Sequence, residues 1–499
     1  MAASDSDSGE ISSNTNSEAS TRQPARGPGP VELRQRLVNH LLSEGAIRSP
    51  LLAKAFSEVP REIFLPSNVP IERVYSDDAI VVKWDENNYP SSSSSQPILM
   101  ADMLEALQLA PGLKVLEIGA GVGYNAALMA DWVGDGRQVT TVDLDPAMAD
   151  IARNNLQRLA QFTGQNSDQV TVVAADGSLG YPAHAPYDRI IVTVQQWEIA
   201  PAWVTQLRVG GIILLPLTVS NQLWGGLIPA LQKQADGTLA GVGGSFGGFM
   251  PMRGEMAHPS PAQGRFALLP VSPGQLWSDQ PAEPDPVAKV LLSNSETMPG
   301  LEKFLEQPGV QAYGPTEKLT LDFTNLGGSN RTQREATYAF YGFSFVLAFA
   351  SNDRLFSTVL ATPLPPVEEG QTAPPTARSS QGWVQDGWQY EPRGPVLIEP
   401  SEDGLGFDLA LLFSPNRNNP GEKLVEGWRL RAPNAEKLAP GTPNLALEKV
   451  RQAWLTWQNM GRPHPSQLRP VAYPSGQPQP VPGYVLPRRF YNLVLPFKP

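Results

Sequence analysis

The sequence predicts an α/β protein with a doubly wound, mostly parallel sheet, followed by a second region of mixed α+β character. Three observations carry that prediction. Apolar strand-like runs at Val139–Asp143, Val170–Ala174, Arg189–Val194 and Gly211–Leu217 alternate with helical segments, of which Pro146–Phe162 is the clearest. Strands alternating with helices build parallel crossovers. Val115–Leu128 (VLEIGAGVGYNAAL) passes from an apolar run through Gly119, Gly121 and Gly123 into a helical pattern. After Glu255 the texture changes, with dense proline and glycine between shorter ordered islands.

Taken in order, residues 1–30 are rich in Ser, Asn, Asp and Glu. They lack the apolar surface that offsets ordering entropy and are expected to be disordered. From Val31 the pattern is helical, with Leu33, Leu37, Leu41 and Leu42 on one face, then Leu51, Leu52, Ala55 and Phe56. A helix over Met100–Leu109 leads into the glycine segment. Leu223–Leu231 and Phe246–Met252 read as two further strands about a turn at Asp236-Gly237. These bounds divide the chain into a tail (1–30), a doubly wound domain (31–255) and a C-terminal domain (256–499).

In the C-terminal region, Pro259–Gln263, Pro281–Pro286, Thr362–Ser380 and Pro474–Pro482 read as linkers. Lys289–Leu305 reads as helical. Leu319–Phe323, Ala339–Ala350, Phe407–Phe413 and Trp428–Leu430 read as strands. Leu445–Met460 is an amphipathic helix with Leu447, Val450, Trp454 and Trp457 on one face. Trp383, Trp388, Trp428, Trp454 and Trp457 either pack a core, the commoner use of buried aromatics, or line a groove.

Composition excludes several kinds of chemistry. The 499 residues carry a formal net charge of −11 and no basic block, a poor basis for binding nucleic acid or an anionic membrane. Cysteine is absent, so there is no disulfide, thiolate metal site or cysteine nucleophile. The four histidines (His40, His184, His258, His464) are not in ligand spacing, and no metal site is expected. The N-terminal residues have no apolar core of a signal peptide. The longest apolar stretch, Tyr338–Ala350, is shorter than the ~20 residues that span a bilayer. A cytoplasmic protein is the simplest expectation.

The glycine segment turns a strand into a helix whose amide end suits an anionic or polar ligand. Asp143 ends the next strand, where a nucleotide-type fold places an acid for ribose hydroxyls. This spacing fits NAD, FAD or S-adenosylmethionine. Two details favour the last. Glu117 stands at the strand end, where the dinucleotide pattern is usually apolar. Val170–Gly177 (VTVVAADG) adds a third strand ending in Asp176-Gly177, where an acid can accept from the adenine amine. Each glycine alone also reads as a tight turn, and Asp143 also reads as a helix cap before Pro146.

Val59–Pro66 (VPREIFLP), Ser95–Ala101 (SQPILMA), Val115–Tyr124 (VLEIGAGVGY), Val172–Gly180 (VVAADGSLG), Ala185–Asp188 (APYD), Leu207–Gly211 (LRVGG) and Phe249–Met252 (FMPM) together resemble the protein-L-isoaspartate O-methyltransferase family. The first two are specific to it; the glycine motif is shared by class I methyltransferases. The resemblance runs from about Val31 to Glu255. It implies a Rossmann-like class I methyltransferase fold and S-adenosylmethionine as cofactor. Its acceptor would be a protein or peptide carrying an aspartyl or isoaspartyl residue.

The resemblance places Ser95 at the active-site serine, which otherwise reads as a turn or cap in a serine run. It assigns Ser94, Glu117, Gly119, Gly121, Gly123, Tyr124, Asp143, Leu144, Asp176 and Gly177 to the cofactor. Ser95 and Gln96 go to the substrate. The implied reaction needs few titratable groups, because a carboxylate is already ionised near neutral pH and attacks the sulfonium methyl in line. The site has to bring oxygen and methyl together and exclude water. The methyl ester then loses methoxide to a backbone nitrogen and closes a succinimide, which in the family is a repair step.

Three departures lie on the substrate side: Asn87–Ser94 (NNYPSSSS), Val194-Gln195-Gln196-Trp197, and Arg253 after FMPM. Gln195 and Gln196 are candidate donors to the acceptor. Arg253 is a candidate partner for its carboxylate, or a surface residue. These departures and the long C-terminal region also resemble relatives that methylate an ordinary aspartate in ribosomally made peptides to force an aspartimide. A third reading, a non-catalytic peptide-binding scaffold, has Glu117, Asp143 and Asp176 against it.

Overall fold

The computed structural model describes residues 27–86, 90–164, 167–220, 226–258, 265–269, 287–292, 300–323, 333–352, 354–363, 383–385, 388–413, 422–433, 435–436, 438–439 and 441–497. The expected tail falls outside them up to residue 26, and the first helix already begins at Pro30. The linker readings at Pro259–Gln263 and Pro281–Pro286 lie outside them too.

Helix α1 (Pro30–Ser43) opens with proline at its first turn and buries Leu33, Leu37, Val38 and Leu41. Helix α2 (Pro50–Glu58) starts at Ser49, whose Oγ accepts from the Leu51 amide at 3.3 Å. After the short α3 (Ile71–Val74), β1 (Ile80–Trp84) and β2 (Pro90–Ser94) form an antiparallel hairpin. The serine run is therefore mostly a strand. Helix α4 (Pro97–Leu107) follows directly.

The doubly wound core is built as expected. Strands β3 (Val115–Ile118), β4 (Val139–Asp143), β5 (Thr171–Ala174), β6 (Tyr187–Val192) and β7 (Leu207–Leu214) are parallel, in the order β5-β4-β3-β6-β7. Helices α5 (Tyr124–Val133), α6 (Pro146–Thr163) and α7 (Pro201–Gln206) connect them. Asp145 caps α6 through the Ala147 amide at 3.0 Å, and Gly164 closes it in the left-handed region. Strands β8 (Gly226–Lys233) and β9 (Leu239–Gly247) extend the sheet antiparallel. Of the strand expected at Phe246–Met252, Phe246 and Gly247 end β9 and the rest is a loop, bridged at Pro251 to Gln195.

The sheet does not stop at β9. Further along the chain, β18 (Val471–Pro474), β19 (Gly483–Leu486) and β20 (Tyr491–Pro496) complete it in the order β9-β18-β20-β19. Pro474–Pro482, read as a linker, is the connection between β18 and β19. The intervening residues form a second, antiparallel sheet. Its strands are β10 (Arg265–Leu268), β11 (Val287–Leu292), β12 (Gln311–Asp322), β13 (Leu355–Pro363), β14 (Trp383–Gln385), β15 (Trp388–Pro400), β16 (Gly406–Phe413) and β17 (Glu422–Arg431). The order is β10-β11-β13-β15-β16-β17-β12, with β14 beside β15. Among the described residues three helices accompany it: α8 (Leu301–Leu305), α9 (Gln333–Ser351) and α10 (Leu445–Asn459). The C-terminal region is thus mixed α+β and mostly strand.

Two sequence expectations fail here. Ala339–Ala350 is helical, not a strand. Helix α9 lies between the two sheets and buries Phe343, Val346, Leu347 and Phe349, and a helix apolar all round carries no one-sided period to read. Lys289–Leu305 is not one helix. Its start lies in β11, which buries Ala288 and Val290 at period two, and among its described residues Leu301–Leu305 alone is helical. Trp454 and Trp457 pack with Phe323 and Phe343 at ring separations of 5.0–6.1 Å, so these tryptophans are core. One apolar core runs from Leu116 and Trp203 under the first sheet to Phe343, Trp457 and Leu493. Among the described residues no helix is long and apolar enough to cross a membrane.

Candidate active site

At the carboxyl ends of β3, β4 and β6, where open α/β sheets bind ligands, lies a cavity of about 1310 Å³. One side is the glycine turn. Gly119 has φ +100°, and a Cβ there would stand 2.4 Å from Thr193 Oγ1, so only glycine fits. Gly121 donates from its amide to Asp143 Oδ2 at 2.9 Å and faces the cavity. Gly123 does not reach the cavity. It packs against Ala152, where a Cβ would sit at 3.2 Å, so its role is helix packing.

Two acids stand at the strand ends. Glu117 is fully buried. Its carboxylate accepts from Asn125 Nδ2 at 2.7 Å and Thr141 Oγ1 at 2.6 Å. Burial pushes it up to about 7, against the pull of those two donors. Asp143 accepts from the amides of Gly121 and Asp145, and burial raises its carboxyl all the same. Leu144 and Tyr124 also line the cavity, Tyr124 packing on Phe64.

Asp176 stands apart. Gly177 lines the cavity but Asp176 does not. Its Oδ1 accepts from the Ser178 amide at 2.8 Å and its Oδ2 from the Glu255 amide at 2.7 Å. Burial pushes this carboxyl up, and those hydrogen bonds together bring it below the usual range. Asp176 thus caps a turn and fastens the segment after FMPM.

The opposite wall is the serine strand. Ser94, Ser95 and Gln96 line it. Gln96 Nε2 donates to Asp77 Oδ2 at 2.9 Å, and the Ile98 amide donates to Asp77 Oδ1 at 2.8 Å, fixing the start of α4. Behind the strand lies Arg61, the arginine of VPREIFLP. It is fully buried and donates to the carbonyls of Val74, Ser76, Asp78 and Ser95 and to Ser94 Oγ. Lys83 on β1 forms an ion pair with Asp145, drawing the hairpin over the glycine turn.

Of the substrate-side candidates, Gln195 and Arg253 line the cavity and Gln196 does not. Gln195 donates from Nε2 to Thr218 Oγ1 at 2.9 Å, and its backbone pairs with Met250 and Met252. Gln196 is buried, and its Nε2 donates to the Val194 carbonyl at 3.1 Å, so it braces the loop. Arg253 is exposed at the rim. Among the described residues no cluster of His, Asp and Glu could hold a metal.

The profile of the protein-L-isoaspartate(D-aspartate) O-methyltransferase family matches residues 32–244. The chain is 39% identical over 193 residues to the protein-L-isoaspartate O-methyltransferase of Hyperthermus butylicus, covering 37% of this chain and 75% of that protein. With the same enzyme of Methanopyrus kandleri the identity is 36% over 230 residues, covering 46% of this chain and 94% of that one. The chain belongs to the protein-L-isoaspartate O-methyltransferase family. A solved structure of that name covers 93% of this chain at 21% identity and a TM-score of 0.42.

This methyltransferase is an S-adenosylmethionine-dependent carboxyl O-methyltransferase, and its cavity fits that cofactor. The backbone of the Gly119–Gly121 turn lines the cavity, and Glu117 and Asp143 offer acid to a ligand carrying sulfonium and ammonium charge. The volume exceeds the ~1,000 Å³ upper range of small-molecule sites, leaving room for an acceptor. The sequence reading missed Arg61, Asn125, Thr141 and Lys83. Arg61 lies within VPREIFLP, and its place in a family-specific motif was the available signal; the other three act through contacts between separate elements.

Proposed function

We propose that this methyltransferase transfers a methyl group to the side-chain carboxylate of isoaspartyl residues in proteins or peptides, the step that leads to succinimide closure and repair. When bound, S-adenosylmethionine supplies an electrophilic methyl on a sulfonium. The rest falls to the chain. Glu117, Asp143 and the Gly119–Gly121 turn hold the cofactor, with Leu144 and Gly177 along it. Ser95, on the facing wall with Gln96, orients the acceptor carboxylate toward the methyl. Gln195 and Arg253 border the acceptor's entry. No residue need remove a proton, since the attacking carboxylate is ionised near neutral pH.

The observation that carries this reading is the facing arrangement of the two motif walls. The glycine turn and acids stand on one side of a single cavity, and the SQPILMA serine stands on the other, fixed by Arg61 of VPREIFLP. The test is methyl-ester formation on isoaspartyl and aspartyl versions of one peptide. Transfer to the isoaspartyl peptide is expected, with a loss of about 10²-fold in Ser95→Ala, the size of effect a misplaced acceptor gives. Transfer to the aspartyl peptide alone would overturn the assignment and point to aspartimide formation in a precursor peptide.

A further inference from the structure

The loop Val194–Trp197, which departs from the family pattern, is held by residues from far along the chain. Between β19 and β20, Arg488 donates from Nε to the Trp197 carbonyl at 3.1 Å and from Nη2 to the Thr218 carbonyl at 3.1 Å. Its guanidinium lies 5.4 Å from the centre of the Trp197 ring. The neighbouring Glu198 accepts from the amides of Arg489 and Phe490 at 3.1 and 3.4 Å. On the Trp197 indole the imidazole of His258 is stacked, centroids 4.3 Å apart and planes at 28°. Both rings line the cavity.

We infer that Trp197 and His258 form a specificity-determining plate for the acceptor, and that Arg488 is its positioning residue. The inference rests on the acceptor being an aspartyl-type peptide. Trp197 is buried, with the Arg488 guanidinium against its ring, so the half-buried His258 ring stacked on it presents the plate's π surface to the cavity, and such a surface favours a flat partner. The side chain of an aromatic residue next to the aspartyl position meets that description, and a glycine there has nothing to stack. The Arg488 fork is what keeps the indole from turning away. Two carbonyl bonds and a cation over the ring fix both the backbone and the plane of Trp197. Lysine carries its three N–H donors on a single nitrogen and cannot reproduce a fork that reaches the two carbonyls from separate nitrogens, Nε and Nη2.

The experiment uses the full-length enzyme and two isoaspartyl peptides that differ only in tyrosine or glycine beside the isoaspartyl residue. The wild type is expected to show a lower KM for the tyrosine peptide, by about tenfold. Trp197→Ala and Arg488→Ala erase that ratio, raising KM for the tyrosine peptide while the KM for S-adenosylmethionine stays put. Arg488→Lys recovers only part of it. Unequal cofactor KM, or a tyrosine-to-glycine ratio unchanged in both alanine variants, overturns the plate. Calorimetric binding of the same two peptides to enzyme loaded with S-adenosylhomocysteine reads the plate without turnover. An enzyme that binds them unequally yet methylates neither would sink the isoaspartyl reading and keep the plate. Equal binding, or none, removes the plate.

Discussion

Arg61 donates to the carbonyl oxygen of Ser95 at 3.0 Å, tying the VPREIFLP motif to the serine of SQPILMA. The guanidinium is fully buried, and burial lowers its pKa against the pull of nearby acids and tyrosines. Its hydrogen bonds go mainly to carbonyls of the α3–β1 connection and of the serine strand, so it acts as a bracket between the two.

Removing that bracket leaves several buried carbonyls without a donor, each worth roughly 1–3 kcal/mol. Arg61→Ala is expected to lose about 3 kcal/mol or more of stability in urea unfolding. Arg61→Lys recovers little, because one ammonium cannot reach both sides. Hydrogen exchange localises the effect: protection falls first over residues 90–98. Unchanged exchange there would show that Arg61 does not hold the serine strand.

Glu117 supplies a pH dependence. Its carboxyl is ordinary in the unfolded chain, near 4.5, and is pushed up to about 7 in the fold. Between those values the folded state holds the extra proton, so the stability from this group falls as pH rises through the window and stays lost above it. The full effect is on the order of 3 kcal/mol. A cationic cofactor favours the carboxylate, so cofactor affinity rises with pH through about 7. Calorimetry at about pH 6 and pH 8 is expected to show that rise in the wild type. It should be absent in Glu117→Gln, and a Gln variant that keeps the rise would clear Glu117 of it.

Lys83 and Asp145 make separable contributions. The ion pair is partly exposed, so Lys83→Ala is expected to cost under about 1 kcal/mol of stability. It releases the hairpin from the glycine turn, and the cofactor KM rises several-fold and becomes less sensitive to salt. Asp145→Ala also removes the α6 cap and costs about 1 kcal/mol more. Thermal unfolding and cofactor KM, measured on both, check the order; equal stability losses would contradict it.

Truncation after Glu255 bears on the domain division. Strand β9 pairs with β18 at Leu239–Ala472 and Ala240–Val471. Ending the chain at Glu255 bares that edge and uncovers Leu239 and Leu231, which belong to the core shared with Leu493. The fragment is expected to be aggregation-prone. A monomeric, cooperatively folding 31–255 fragment would show that β18–β20 are dispensable.

Much of the first sheet was legible because its signals are local. Gly119 and Gly121 need left-handed backbone, Asp143 ends an apolar run, and Asp145-Pro146 opens a capped helix. The residues read as acceptor contacts fared unevenly: Gln195 faces the cavity, while Gln196 turns into its own loop. Asp176 also serves the chain itself, since its two oxygens accept from the amides of Ser178 and Glu255, contacts that the motif alone does not announce. Where a helix sits between two sheets, as α9 does, burial on all sides removes the period that distinguishes helix from strand. Contacts such as Arg488 with Trp197 leave no trace in spacing, because they exist only once β19 and β20 have joined the first sheet.

That late joining has a consequence for biosynthesis. As the chain leaves the ribosome, β3 to β9 emerge with their motifs complete, but the open edge of β9 waits until the whole second sheet has been translated. Pairings this distant in sequence form slowly, and an unpaired edge is open to other chains meanwhile. The nascent protein therefore has a long vulnerable interval, and its yield in cells should depend on chaperone supply more than its finished stability suggests.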